Sequence, residues 1–278
     1  MRTQSLLLAG LVGMGLSAVC GADVLIEAPF DQKGGHVQGL CKSEGCYYLS
    51  QMTRLFKVGL DGMCIKTLPV ISHTGDLCFY NGHVYTSVSV YDGERKGQGL
   101  IQVYDADLNL LREKYYPRGM DGIACLNGKL YVGNGSHLKT VPHPHGEVPQ
   151  SKTPHLDNVM AIIDPETLEL VKTVVYSHGE RTRYGAQNIV SDGKLLYVSF
   201  YPDTAQDSDL VAYDAELKAV AKYKANASNG FVYTGDVNGL PSFLKCETTK
   251  QGGAVGAVLK CALVKKRKVN RGGQARPL

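Results

Sequence analysis

Residues 77–88 read LCFYNGHVYTSV, two short apolar stretches on either side of Asn81-Gly82. Asn-Gly favours the left-handed backbone that a two-residue hairpin turn requires, so this stretch reads as a tight β-hairpin. The figure returns as IACLNGKLYVG at 123–133 and as NIVSDGKLLYVSF at 188–200. A cysteine-flanked version, LCKSEGCYYLS, precedes them at 40–50, and a weaker one, FVYTGDVNGLPSFLKC, follows at 231–246.

A second hairpin alternates with the first and turns on an Asp: LFKVGL-Asp61-GMCIKTL, LIQVY-Asp105-ADLNLLREKYY, VMAII-Asp164-PETLELVKTVVY and LVAY-Asp214-AELKAVAKYK. The carboxylate can accept hydrogen bonds from amides two or three residues on, which stabilises the turn. Two hairpins in tandem make four antiparallel strands, and turn spacings of about 50 residues suit one propeller blade each. The chain therefore reads as an all-β, five-bladed β-propeller spanning 23–268. The last blade reaches its third strand at Ala257–Val264 and then meets a basic tail, so its fourth strand is missing. A spare strand stands at the other end, Val24-Leu25-Ile26-Glu27-Ala28-Pro29-Phe30. Pairing it with the last blade closes the ring and hides an open edge. Six blades would need about 40 residues each, less than the turn spacings allow.

These repeats, with strand, Asn-Gly, Leu-Tyr-Val and then an Asp-led turn, resemble those of secreted YVTN/NHL-like and SMP-30/gluconolactonase-like β-propellers. The likeness covers nearly the whole of 23–268 and is one of fold. Gluconolactonase-like enzymes hold a channel metal with a Glu and Asn/Asp set on six blades. No such set stands in register here, so the resemblance implies the architecture and carries no activity over.

The first 22 residues read as an export signal: Arg2, an uncharged apolar run from Leu6 to Val19, then Ser17, Ala18, Gly21 and Ala22 as small residues for cleavage. The run is shorter than the roughly 20 residues of a membrane span, and no later segment approaches that length. Lipid anchoring through Cys20 is the weaker alternative, because Ser17 stands where a lipoprotein signal usually carries Leu. The formal net charge is +4, part of it in Lys265-Lys266-Arg267-Lys268, Arg271 and Arg276. Behind an export signal this reads as a solvated end, with 269–278 a basic disordered tail, and not as a nucleic-acid element. A monomer is expected.

Eight cysteines in an exported chain suggest disulfides before a zinc site, and no CxxC pair is present. Cys41 and Cys46 flank the first hairpin turn, while Cys246 and Cys261 fall on adjacent strands of the last blade. Each pair is an expected bridge. Cys78 and Cys125 lie on innermost strands of neighbouring blades, free to pair or stay buried, and Cys64 is the expected free thiol.

In a four-stranded blade, the segment leading into the first strand and the loop between strands two and three emerge on one face; the hairpin turns emerge on the other. The lead-in segments stack as His36-Val-Gln38-Gly-Leu, His73-Thr-Gly-Asp76-Leu, Gly119-Met-Asp121-Gly-Ile and Gly185-Ala-Gln187-Asn188-Ile. Arg118 precedes the third, and Arg181, Arg183 and Tyr184 precede the fourth. An insertion at Ser136–Asp157 adds His137, His143, His145 and His155 with several prolines, and long loops in compact folds are often functional. His143-Pro144-His145 invites a metal reading, since imidazole suits zinc or copper, but nothing nearby completes a ligand set. A channel-face divalent metal remains open at this stage.

Two functions fit this face. Its positive excess suits an anionic small molecule, glycan or extracellular protein, with Gln38, Arg118, His137, Arg181, Arg183, Tyr184, Gln187 and Asn188 as binding residues. The alternative is an extracellular hydrolase acting on a lactone, phosphoester, glycan or peptide. It would use His36, His73, Asp76 and Asp121 as acid–base groups or metal ligands.

Overall fold

A computed structural model describes residues 23–32, 35–71, 73–133, 157–177, 182–202, 209–225, 229–251 and 254–266. Within them the chain is all-β and forms five sheets arranged as the blades of a propeller.

Blade one holds β2 (Val37–Lys42), β3 (Cys46–Gln51), β4 (Arg54–Gly59) and β5 (Cys64–Pro69). Blade two holds β6 (Thr74–Tyr80), β7 (His83–Ser89), β8 (Gly99–Asp105) and β9 (Leu110–Tyr116). Blade three holds β10 (Ile123–Leu126), β11 (Lys129–Gly133), β12 (Asp157–Ile163) and β13 (Leu170–Ser177). Blade four holds β14 (Thr182–Ser191), β15 (Leu196–Pro202), β16 (Asp209–Tyr213) and β17 (Ala219–Lys224). Blade five is β18 (Phe231–Val237), β19 (Leu240–Gln251), β20 (Ala254–Leu263) and, from the other end of the chain, β1 (Val24–Ile26).

The closure expected from the strand count is therefore present. Val24, Leu25 and Ile26 pair antiparallel with Leu259, Val258 and Ala257. The same segment also grips blade one, where the Glu27 amide donates to the Gly62 carbonyl and the Cys64 amide to Glu27. Gly62 sits at φ +91°, where a Cβ would lie 2.0 Å from the Leu25 carbonyl oxygen, so only glycine lets the closing strand pass.

Apolar clusters between neighbouring blades hold the ring. Leu77, Val84 and Tyr104 meet Tyr48 and Leu55 between blades one and two. Ile26, Phe30, Phe56 and Leu259 seal blade five to blade one, so the first and last parts of the chain share one core.

The turns follow their chemistry with exceptions. Asn81-Gly82, Asn127-Gly128 and Asn238-Gly239 have positive φ at both residues, as a type I′ turn requires. Asp192-Gly193 departs from this: its glycine alone is left-handed, and the Asp192 carboxylate instead accepts the Lys194 and Leu195 amides, both at 2.7 Å. In the Asp-led turns, Asp105, Asp164 and Asp214 each accept amides from the residues that follow. Leu108, Leu168 and Leu217 close those turns at φ +57°, +57° and +62°, an uncommon conformation for leucine. Each is buried, and packing of the leucine into the seam offsets the backbone cost.

Two sequence expectations are corrected. Lys265 and Lys266 are not part of a free end: they form β21 (Lys265–Lys266), which pairs with Lys224 and Tyr223 as a fifth strand of blade four. The two expected pairings are absent, because Cys41, Cys46 and Cys246 are free thiols, although Cys261 is itself disulfide-bonded, to none of these. Strand register explains this. Cys41 opposes Tyr48 while Cys46 opposes Gly59, and the Cys46 sulfur lies 3.2 Å from the Ser43 hydroxyl. Cys246 opposes Leu259 while Cys261 opposes Leu244, a two-residue stagger. Cys64 is a free thiol, as expected. Alkylation of the unreduced, denatured protein is expected to label Cys41, Cys46 and Cys246 fully in a peptide map; unlabelled Cys41 and Cys46 would restore the first bridge.

Candidate functional site

Gly39, Asp76, Gly122, Asn188 and Gly230 stand directly before the buried residues Leu40, Leu77, Ile123, Ile189 and Phe231 of the innermost strands of blades one to five. These five positions meet at the axis. A Cβ on Gly39 would lie 2.7 Å from the Asp76 Cα, one on Gly122 2.7 Å from Ile189, and one on Gly230 2.6 Å from the Gly39 carbonyl carbon. The absence of a Cβ at these three glycines thus lets neighbouring blades approach closely, and at Gly39 leaves space for the Asp76 carboxylate.

Asp76, 2 % exposed, directs Oδ2 at the amides of Ile123 (3.2 Å) and Ile189 (2.8 Å), reaching blades three and four from blade two. The Asn188 side chain also hydrogen-bonds it. Asn188 extends the network by donating to the Gln38 carbonyl at 2.6 Å and accepting the Gly230 amide at 3.3 Å. One Asp–Asn pair therefore ties all five blades. Burial pushes the Asp76 carboxyl up to about 7, against the opposing pull of the amides it accepts.

Above this layer lies the lead-in face. The Asp76 amide donates to the Asp121 carbonyl, and the Asp121 carboxyl accepts Ser89 Oγ at 3.1 Å and the Gln187 side chain. Burial pushes Asp121 up to about 6. Ser89 and His73 exchange backbone hydrogen bonds, and the His73 ring stands edge-on to Tyr91 at 4.8 Å. Burial, and then the neighbouring His36, lower the His73 pKa, so the imidazole is neutral at neutral pH and its Nδ1 is buried without a partner.

Arg118 is the exceptional group. It is 3 % exposed, and Nε, Nη1 and Nη2 all lack a hydrogen-bond partner among the described residues. Burial lowers its pKa to about 10, which leaves it charged at neutral pH. Its segment is fixed against Ser89 and Gly99: a Cβ on Gly119 would lie 2.7 Å from Ser89 Oγ, and one on Gly99 2.1 Å from the Arg118 carbonyl. A buried guanidinium with no counter-charge is costly in isolation and is an anion receptor in the making.

Several expected site residues are thus brought together: His36 beside His73, Asp121 with Gln187, and Gln38 with Asn188 and Asp76. His137 and Arg181 lie outside the described residues, as do the side chains of Arg183 and Tyr184 on β14. Ser89 was not visible as a candidate in sequence, since it ends a strand with no motif. Nor was Asn158, fully buried with both amide atoms unpartnered opposite Tyr176, whose hydroxyl is also unpartnered. Among the described residues, no group of three or more His, Cys, Asp or Glu is placed to hold a metal ion. No helix among them is long and apolar enough to cross a membrane.

No protein family and no curated protein matches the sequence. The chain is similar in structure to the glutaminyl cyclase of Myxococcus xanthus, with a TM-score of 0.57 and 13% identity over 88% of this chain and 95% of that one. It is also similar to the Bacteroides ovatus protein described as xyloglucan PUL GH43B, with a TM-score of 0.51 and 12% identity over 84% of this chain and 53% of that one. At such identities the likeness is one of fold: the chain is a β-propeller whose structural neighbours include enzymes.

Proposed function

We propose that this protein binds an anionic ligand on the lead-in face of its channel, with Arg118 as the anchor. The observation that carries the reading is the charged guanidinium of Arg118, 3 % exposed and unpartnered at all three nitrogens. Its planar fork suits a carboxylate, sulfate or phosphate, whether on a small molecule, a glycan or an extracellular protein. His36, His73, Gln38 and Gln187 belong to the lead-in segments of the same face and add hydrogen-bonding groups to the proposal, His73 as a neutral imidazole. His137, Arg181, Arg183 and Tyr184 belong to the proposal on sequence grounds alone. Export with cleavage near Ala22, and the narrower kinship with YVTN/NHL-like or gluconolactonase-like propellers, belong to it on the same grounds.

A functional arginine and a structural one respond oppositely to removal. Arg118→Gln deletes an uncompensated buried charge, so the ligand-free variant is expected to match or exceed the wild type in stability, by up to about 1 kcal/mol. The wild-type unfolding midpoint is expected to rise in benzoate, sulfate or phosphate relative to an equal ionic strength of chloride, and the variant's is not. A variant that is strongly destabilised and still responds to the same anions would refute the assignment.

A second reading, acid–base catalysis by Asp121 with His73, His36 and Asp76, has one specific support. The Asp121 carboxyl, pushed up to about 6 and held by Ser89 and Gln187, is poised to exchange a proton near neutral pH. Similarity to a propeller named as a glutaminyl cyclase is consistent with enzymatic use of such a face. In that case Asp121→Asn would abolish turnover of a lactone, ester, glycoside or peptide panel while leaving the anion response intact.

A further inference from the structure

We propose that the channel carries a second ligand site on its turn face, separated from the first by the Asp76–Asn188 layer and shaped for an uncharged aromatic molecule. A cavity of about 550 Å³ opens there, lined by the innermost strands of all five blades. That volume lies within the range of small-molecule sites.

The chemistry of the wall selects the ligand. Three free thiols, Cys41, Cys78 and Cys125, line the cavity, together with Phe79, Tyr80 and Tyr233. Burial raises the pKa of all three thiols, that of Cys125 to about 11, so the sulfurs are uncharged at neutral pH. Polarisable sulfur makes favourable contacts with ring edges, and aromatic side chains add offset or edge-on partners. Among the described residues, the charged ones lining the cavity are Lys42 and Glu44, of opposite sign in one hairpin, with the Lys42 ammonium 5.7 Å from the Tyr47 ring centroid. No net charge faces the cavity to hold an anion, and the Asp76 carboxyl behind Cys41 and Cys78 opposes one. Ser43, Ser191, Tyr80 and Tyr233 also line the cavity, and the hydroxyls of Ser43, Ser191 and Tyr233 already bond to Cys46, Gly193 and Asp236.

The chain contains its own reporter and control. Cys125 is half-buried within the cavity, and Cys64 is half-buried on β5 outside it. The folded full-length protein is alkylated with N-ethylmaleimide at about pH 9, and the two sites are followed by peptide mass spectrometry. With 2-naphthol at about ten times its Kd, Cys125 is expected to react roughly tenfold more slowly while Cys64 keeps its rate. The anionic analogue 2-naphthoate is expected to protect neither. An unchanged Cys125 rate up to the solubility limit of 2-naphthol would overturn the proposal. So would equal slowing of Cys64, or equal protection by 2-naphthoate. The outcome is independent of Arg118 and of the reading of the opposite face.

Discussion

Asp76→Ala is expected to cost roughly 3–5 kcal/mol, lowering the thermal midpoint by on the order of 10 °C, because it strands buried donors from two blades at once. The Ile123 and Ile189 amides lose their shared acceptor, and the Asn188 side chain, which joins blades five and one, loses its anchor. Asp76→Asn keeps an oxygen for the two amides and is expected to cost less than half as much. The pH dependence separates the two effects. A carboxyl whose folded pKa is raised from 3.8 to about 7 contributes fully to stability below its ordinary value and loses that contribution as pH climbs towards 7. The stability of Asp76→Asn relative to wild type is therefore expected to improve between about pH 5 and about pH 8. Chemical denaturation of the three proteins at both pH values measures it, and a constant difference would contradict burial of a titrating carboxyl at the axis.

Ile26→Asp is expected to be as damaging, at about 4 kcal/mol or more, for a different reason. Ile26 is 3 % exposed in the cluster that joins blade five to blade one, so the substitution buries a charge without a partner. Losing the closing strand also uncovers the edge of β20, an invitation to intermolecular pairing. Leu25, next to it on the same strand, is 58% exposed, and Leu25→Asp is expected to change stability by no more than about 0.5 kcal/mol. Urea midpoints and light scattering of both variants test the pair. Equal, small effects would mean that β1 is not what closes the ring.

The fold was legible because its signals are local and repeated. Asn81-Gly82 and its counterparts fix hairpins within a dozen residues, and counting hairpins exposed the missing strand that Val24–Ile26 supplies. The cysteine pairing was not legible because adjacency in strands is visible in sequence whereas register is not: Cys246 and Cys261 are on paired strands, two residues out of step, and Cys261 is bonded elsewhere. The axial layer lay half in view. Stacking the lead-in segments brought Asp76 and Asn188 forward as candidate site residues, but their bond to each other spans blades two and four, which no local signal shows. The cost of Arg118 was invisible altogether, since nothing in a sequence shows that a guanidinium is buried or that no carboxylate reaches it.

The central claim, that Arg118 waits for an anion, is tested most directly by anomalous diffraction from crystals soaked in bromide. The expected result is a peak within hydrogen-bonding distance of the Arg118 guanidinium in the wild type and none there in Arg118→Gln. A guanidinium ion-paired to a carboxylate of its own chain, with no bromide beside it, would contradict the account.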